Sequence, residues 1–293
     1  MDAPSILRGC PPEGALKIVS LSPTASDILG RIGALDELAG VSSYCLPFLS
    51  ERRRVVGSYT TVSLKALREI GPDLVFLEGT VQDRLKEVVE GAGFRAVLLP
   101  FPRSLNVILD DVLLVGTLAG RYAESRELAA ELRDGISSLR VNARRRPKVY
   151  VEFWLGRGEE DRVAPGALTY VDEMIYVAGG LNATSGHNWG FVRADPEEVR
   201  RLDPDIIIFH LDPWLRMDPG IVERRGWSGL SAVREGRVHA VWESSTLNMA
   251  HHGPSTLIPT MSWLSDVIAR SAPDLPERIR GSGAPMPLPA WTR

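Results

Sequence analysis

In the first part of the chain, short apolar runs alternate with segments whose apolar residues recur every three or four positions. The spacing of Leu64, Leu67 and Ile70 predicts a helix that Ser63 caps and Gly71 ends. Strands that are apolar throughout and separated by helices are typical of a parallel sheet covered on both faces. The pattern therefore predicts an α/β lobe over residues 16–120, with strands at 17–22, 38–43, 73–78 and 95–101 and further helices at 23–32, 82–90 and 105–118.

One stretch of this lobe returns later in the chain in altered form. SLKALREIGPDLVFL (63–77) matches DPEEVRRLDPDIIIF (195–209) when Pro72 is aligned with Pro204, and KIVSL matches KVYVE. Two similar lobes leave a cleft between them, and such clefts are favoured places for a small ligand. The repeat predicts a second α/β lobe over residues 147–272, with strands at 148–154 and 237–242 and further helices at 169–178 and 254–270.

The segment 121–146 connects the two predicted lobes. It places Leu128, Leu132, Ile136 and Leu139 at roughly helical spacing, with charged residues elsewhere. A helix of this length would span about 39 Å, enough to cross from one lobe to the other, although a surface helix of the first lobe is the alternative. The predicted fold class is α/β, with two Rossmann-like three-layer lobes whose parallel sheets are joined by a single long helix. The ends are an N-terminal extension (1–15) and a Pro/Gly-rich tail (273–293).

Composition narrows the function classes. The net charge of −3 provides no basic field of the kind that nucleic-acid binding needs. No apolar run reaches the roughly 18 residues that would span a membrane, and residues 1–15 contain neither a basic leader nor an apolar stretch long enough for export. Cys10 and Cys45 are too few for a disulfide scaffold. We expect a monomer that binds no nucleic acid and does not span the membrane, with its compartment left open.

Taken together, these segments resemble the class III substrate-binding proteins of ABC importers, the group that captures cobalamin, ferric siderophores and haem. The resemblance covers residues 16–270 and is strongest to the cobalamin-binding branch, through GVSSYC and VVGSYTTVSL. It implies a ligand held between two lobes without chemical conversion, an ABC-importer permease as partner, and an extracytoplasmic location. Besides the two copies of the repeat, it rests on KIVSLSPTASDILGRIGALDELAGVSSY (17–44), FPRSLNVILDDV (101–112) and TYVDEMIYVAGGLNAT (169–184).

The loops after the strands predict the ligand contacts, because open parallel sheets bind ligands beyond the carboxyl ends of their strands. The resemblance independently places aromatic contacts at Tyr44 and Tyr59. The candidates in the first lobe are Ser22, Pro23, Thr24, Tyr44, Tyr59 and Glu78, and those in the second lobe are Trp154, His187, Trp189, Phe191, Trp214, His251 and His252.

The two halves differ in side-chain chemistry, because all five histidines and all seven tryptophans lie in the second half. Aromatic faces suit a flat macrocycle. Imidazole is a common ligand of cobalt and iron, so His187, His251 or His252 is the candidate axial ligand of a bound chelate. Adjacent residues of an extended segment point opposite ways, so His251 and His252 do not share a bare ion. We predict no bare-metal site and no intrinsic cofactor.

Acidic residues are the candidates for permease docking, which the resemblance implies for each lobe. Asp83 matches the position in the first lobe, and Asp212 or Asp218 is the candidate in the second. An enzyme is disfavoured, because the sequence contains no G-x-S-x-G elbow, no Walker lysine and no complete dinucleotide loop.

Two alternatives to a corrinoid importer protein stay open. A ferric siderophore is an alternative ligand, because Arg103, Arg157 and Arg193 would suit its anionic chelate, and haem is an alternative from the same family resemblance. A cytosolic carrier or salvage accessory protein for corrinoids or chelated metals is the second alternative, since the absence of a leader would then be natural.

Overall fold

The computed structural model describes residues 16–79, 81–143, 145–188, 190–244 and 246–271. The chain divides into two compact units. The first contains the residues up to Phe101 together with Asp111–Leu128, and the second contains Pro102–Asp110 and the residues from Ala129 onward. The extension and the tail predicted at the two ends lie outside the described residues, and the predicted domain boundaries stay predictions.

A five-stranded parallel sheet in the order β3-β2-β1-β4-β5 forms the centre of the first unit. Its middle strands are buried along their whole length, which explains why they read as continuous apolar runs. The parallel sheet predicted for this part of the chain is confirmed. The strands are β1 Ile18–Ser20, β2 Leu38–Ser42, β3 Val55–Gly57, β4 Leu74–Glu78 and β5 Ala96–Leu99, and the helices are α1 Pro23–Arg31, α2 Leu64–Ile70 and α3 Asp83–Gly91.

The sheet of the second unit is mixed, which corrects the prediction of two parallel sheets. Its path is β11-β10-β6-β7-β9, with β8 also paired to β6, and β7 runs antiparallel to both β6 and β9. The connection between β6 and β7 is too short for the crossover that parallel neighbours require. The strands are β6 Lys148–Trp154, β7 Arg162–Pro165, β8 Leu181–Asn182, β9 Phe191–Arg193, β10 Ile206–Leu211 and β11 Val238–Trp242.

Most of the remaining helices agree closely with the sequence pattern, but the short helices α8 and α9 were not predicted and one predicted helix is shorter than expected. The helix predicted at 121–146 ends early, because α5 covers Tyr122–Ser138. Beyond it the amide of Val141 donates to the carbonyl of Val177 at 2.9 Å, and Pro147 restricts the residue before it to extended backbone. The other helices are α4 Leu105–Leu118, α6 Tyr170–Val177, α7 Pro196–Leu202, α8 Ile221–Arg224, α9 Ser231–Arg234 and α10 Pro254–Ser271.

The internal repeat is visible in the hydrogen bonds of both units. The amide of Lys17, just before β1, donates to the carboxylate of Asp73 at 2.8 Å, and the amide of Lys148, at the start of β6, donates to the carboxylate of Asp205 at the same distance. Each aspartate also donates its own amide to the carbonyl of its lysine, at 2.9 Å in both units. The aspartate after the repeated proline therefore joins the starts of two neighbouring strands in each copy.

Candidate functional site

The carboxylate of Glu78, the last residue of β4, is the centre of a hydrogen-bond network in the first unit. Its Oε1 accepts from the hydroxyl of Ser22 at 2.9 Å and from the amide of Thr24 at 3.0 Å, and its Oε2 accepts from the hydroxyl of Tyr59 at 2.9 Å. Ser22 and Thr24 are fully buried, and Glu78 is 9% exposed. The structure thus brings these four predicted site residues together, with three of them facing inward.

Local sequence explains why the chain turns sharply after β1. Ser22 is the N-cap of α1, and its side chain accepts from the amide of Ala25 at 2.9 Å. Pro23 occupies the first helical position, where its fixed φ suits the helix and its missing N–H is not needed. Pro23 is itself buried, so its role in this structure is to start the helix.

Gln82 joins the same network and is a residue that the sequence interpretation missed. Its Nε2 donates to the carbonyls of Leu21 at 3.1 Å and Tyr59 at 2.7 Å, while its Oε1 accepts from the amide of Glu78 at 2.7 Å. The side chain is completely buried. Its only signal in the sequence is a polar residue four positions after a strand-end acid, which points to no particular partner.

Two tyrosine rings lie at this strand-end edge. The ring centroids of Tyr44 and Tyr59 are 5.5 Å apart, with the planes tilted by 42°. Tyr44 lies in a 3-10 helix after β2 and is 51% exposed, whereas Tyr59 is half-buried. Aromatic pairs at such distances are stabilising, and exposed aromatic faces such as that of Tyr44 suit flat apolar ligands.

In the second unit, β6, β10 and β11 end in register at Trp154, Leu211 and Trp242. Trp242 is 42% exposed, and Trp214, in the loop after β10, is 53% exposed. The indole of Trp242 donates to the carbonyl of Leu215 at 2.9 Å, which fixes one end of the ring. Trp242 was not predicted as a site residue, although the rule that selected Trp214 applies to it equally.

Trp154 is almost completely buried, at 3% exposure, because it belongs to an ionic network inside the second unit. Its indole donates to Glu152 Oε1 at 2.8 Å, and the hydroxyl of Tyr150 donates to Oε2 at 2.7 Å. Arg225 Nη1 lies 2.9 and 2.8 Å from the two oxygens, and the guanidinium of Arg162 lies 3.8 Å from the centre of the Trp154 ring. Burial, and then the charge of Glu152, raise the pKa of Tyr150 well above its ordinary value.

Three of the predicted contacts in the second unit have clear partners. His187 Nε2 lies 2.8 and 3.0 Å from the carboxylate oxygens of Glu198. Phe191, the first residue of β9, packs edge-on against Phe153 with 5.3 Å between the ring centroids. Trp214 has the guanidinium of Arg157 5.9 Å from its ring centre. The predicted contact Trp189 lies outside the described residues.

The adjacent histidines before α10 are buried. His251 is 6% and His252 is 4% exposed, with 6.3 Å between their ring centroids, and the ring of His252 lies 5.5 Å from that of Tyr170. Among the residues that the structure describes, no group of three or more histidine, cysteine, aspartate or glutamate side chains is arranged to hold a metal ion. The axial-ligand role of His187, His251 or His252 stays a prediction.

The segment that carries these histidines is anchored from β10 and α6. The imidazole of His210 accepts from the amide of Met249 at 3.1 Å, and the hydroxyl of Tyr170 donates to the carbonyl of Met249 at 2.5 Å. His210 is 2% exposed, and this burial lowers its pKa to about 3. The ring therefore remains a neutral acceptor at any physiological pH.

The three predicted docking acids lie in different environments. Asp83 is exposed at the first position of α3. Asp218 accepts from the side chain of Arg224. Asp212 is half-buried, and burial together with the nearby Glu243 raises its pKa to about 6. Their role in docking stays a prediction.

The periplasmic binding protein family matches residues 18–242. A cobalamin-binding protein of Halobacterium salinarum is 26% identical over 201 residues, which cover 66% of this chain and 53% of the relative. A vitamin B12-binding protein of Yersinia pestis is 21% identical over 202 residues, which cover 68% of this chain and 70% of the relative. The match thus spans about half the length of the Halobacterium protein.

Solved structures show the same fold. A periplasmic haem-binding protein from Roseiflexus sp. RS-1 in apo form superposes with a TM-score of 0.73 at 22% identity, covering 88% of this chain and all 100% of that one. The haem complex of a Staphylococcus aureus protein gives a TM-score of 0.70 at 18% identity, with coverages of 87% and 99%. The α/β architecture is therefore that of class III periplasmic binding proteins. No helix in the described ranges is both long enough and apolar enough to cross a membrane.

Proposed function

This chain belongs to the periplasmic binding protein family, and we propose that it is the substrate-binding component of an ABC importer that binds cobalamin or a related corrinoid without converting it. Relatives from Halobacterium and Yersinia are named for binding cobalamin and vitamin B12. Members of this family are binding proteins of transporters, which supports a role without catalysis. An importer permease is the partner that this proposal implies, and Asp83 is its most exposed candidate contact.

The observation that carries the ligand class is the set of exposed aromatic rings at the carboxyl ends of parallel strands. Tyr44 in the first unit and Trp214 and Trp242 in the second are between 42% and 53% exposed. Large aromatic side chains that a folded chain leaves in water mark interaction sites when they cluster at a ligand-binding edge. A planar macrocycle buries such rings without ordering a flexible ligand.

Two carboxylates at the same edge of the second unit favour a corrinoid over an anionic chelate, whereas Arg157, whose guanidinium lies 5.9 Å from the Trp214 ring centre, acts in the opposite direction. Asp212 follows β10 and Glu243 follows β11, and the two carboxylates are close enough for the charge of Glu243 to raise the pKa of Asp212. Carboxylates accept hydrogen bonds from the amide groups that surround a corrin ring. They repel the propionates of haem and the anionic groups of a ferric siderophore.

Ligand titration tests the proposal. Purified protein is titrated with cyanocobalamin, haemin and a ferric hydroxamate siderophore while tryptophan fluorescence is followed, with correction for the inner-filter effect. We expect saturable quenching by cyanocobalamin at micromolar concentration or below, and an unchanged absorption spectrum of the cobalamin recovered after unfolding the protein. A changed spectrum would refute binding without conversion.

Matched variants locate the binding surface. Trp214→Leu and Tyr44→Leu should each weaken cyanocobalamin binding by about tenfold or more, as expected for the loss of an aromatic contact. Tyr122→Leu, which removes an equally exposed tyrosine at the start of α5, should leave the affinity unchanged. Preferential binding of haemin would replace the corrinoid assignment, and failure of all three ligands would remove it.

A further inference from the structure

Tyr59 lies in a tight turn between β3 and α2. The amide of Ser58 donates to the carbonyl of Thr61 at 3.0 Å, and the amide of Ser63 donates to the carbonyl of Val56 at 2.8 Å. These bonds define the backbone of the turn but do not fix the tyrosine ring.

Two side chains from β4 and the loop after it fix Tyr59 from both ends. The carboxylate of Glu78 accepts the tyrosine hydroxyl at 2.9 Å, and the amide of Gln82 donates to the tyrosine carbonyl at 2.7 Å. Glu78 is 9% exposed and Gln82 is not exposed at all. Both residues are therefore placed to act on Tyr59 from inside the unit.

The other bonds of this pair show that its own position is determined. Glu78 Oε1 already accepts from Ser22 and Thr24, and Gln82 Oε1 accepts from the amide of Glu78 at 2.7 Å. Gln82 also donates to the carbonyl of Leu21. The ends of β1 and β4 thus form a rigid support, and the tyrosine is attached to it at its hydroxyl and at its carbonyl.

We infer that Glu78 and Gln82 are positioning residues, which raise ligand affinity by holding Tyr59 against Tyr44 and do not contact the ligand themselves. A side chain that is already immobilised loses less conformational freedom on binding, and this is worth about a 3- to 10-fold change in affinity per side chain. The inference revises the expectation that Glu78 touches the ligand. Its test by ligand affinity rests on the proposed function, whereas its test by hydrogen–deuterium exchange does not.

A double-mutant cycle separates positioning from contact. Glu78→Ala removes the acceptor of the tyrosine hydroxyl and should weaken cyanocobalamin binding by about 3- to 10-fold. Tyr59→Phe removes the hydroxyl, and in that background Glu78→Ala should have less than about a twofold further effect. Glu78→Gln, whose amide can still bond the hydroxyl, should retain most of the affinity. An equal loss from Glu78→Ala in both backgrounds would show direct contact and overturn the inference.

The second measurement needs no ligand. Hydrogen–deuterium exchange of the peptide that covers residues 56–63 should be faster in Gln82→Met than in the wild type, because the turn then opens more often. Glu87→Ala, which truncates an exposed glutamate of α3, is the control and should change neither exchange nor affinity. Unchanged exchange in Gln82→Met would refute the support role even if that variant bound ligand weakly.

The two measurements keep the inference distinct from the proposed function. If the wild type does not bind cyanocobalamin, the proposed ligand fails, and exchange in Gln82→Met and Glu78→Ala still decides whether these side chains hold the turn. If the wild type binds but the cycle is additive, the positioning inference fails alone. The melting temperatures of Glu78→Ala and Glu78→Gln are compared with that of the wild type. If Glu78→Ala melts no lower than Glu78→Gln, its weaker binding does not come from unfolding.

Discussion

Acidification should destabilise the second unit through one buried imidazole, that of His210. The ring is 2% exposed, and its Nε2 accepts from the amide of Met249 at 3.1 Å. A proton on this nitrogen would break the bond and place a charge in the interior. Burial therefore lowers the pKa from 6.5 to about 3.

The sign and size of the effect follow from this shift. Between the two pKa values the unfolded chain binds a proton at His210 that the folded chain does not bind. The contribution of His210 to stability is therefore complete above the pKa of the unfolded state and decreases as the pH falls towards the pKa of the folded state. One pKa unit corresponds to about 1.36 kcal/mol. Lowering the pH from about 8 to about 5 should therefore cost about 2 kcal/mol through His210 alone.

His210→Gln isolates this contribution, because a glutamine Oε1 can accept from the Met249 amide at the place of Nε2 and does not titrate. Urea unfolding followed by tryptophan fluorescence at the two pH values gives the stability loss of each protein. We expect the wild type to lose about 2 kcal/mol more than His210→Gln. His187→Gln, a change in a more exposed ring beside Glu198, is the matched control for the substitution itself. Equal losses in the wild type and His210→Gln would refute the reasoning.

Three further substitutions, one of them with a control variant, test other parts of the structure by urea unfolding. Asp212→Asn should increase stability by about 1 to 2 kcal/mol at pH about 8, because the raised pKa of Asp212 shows that its ionised carboxylate is unfavourable in the folded state. The gain should be smaller below pH about 6, where the carboxylate of the wild type becomes protonated. A gain that increases as the pH falls would contradict this. Arg225→Met should cost about 3 to 5 kcal/mol, since it removes the two short bonds to the buried carboxylate of Glu152 and leaves only the more distant guanidinium of Arg162, at 3.9 Å. Arg224→Met, on a more exposed neighbour, should cost less than about 1 kcal/mol. Gly57→Ala should destabilise the first unit, because the added Cβ would overlap the carbonyl oxygen of Thr61 in the following turn. A free energy of unfolding equal to that of the wild type would contradict this.

The elements that the sequence predicted well are those whose burial is uniform along their length. β4 and β10 are buried at every position, and for that reason they appear as LVFL and IIIF in the two copies of the repeat. β7 and β9 have only four and three residues, too few to establish a period, so the mixed character of the second sheet was not foreseen.

The candidate site was predictable only to the extent that it follows strand ends. That rule found Tyr44, Tyr59 and Trp214, which are exposed or half-exposed at those ends. It could not show that Trp154 is buried, because Trp154 donates to the buried Glu152, whose carboxylate is paired with Arg225, 73 positions further along the chain. Gln82 was missed for the same reason, since its partner Leu21 lies 61 positions away.

The duplication explains where the chemistry of the two copies diverges. When the repeated prolines are aligned, Glu78 at the end of β4 corresponds to His210 near the end of β10. In both units the sheet geometry depends on the repeated aspartate at the strand start, which joins neighbouring strands through backbone amides. The side chains at the strand ends make no such bond between strand starts, and they differ between the two copies. In the first copy the carboxylate of Glu78 accepts several hydrogen bonds and holds Tyr59. In the second copy the neutral imidazole of His210 accepts the amide of Met249 and holds the segment that carries His251 and His252. The same sheet position therefore supports a different loop in each unit.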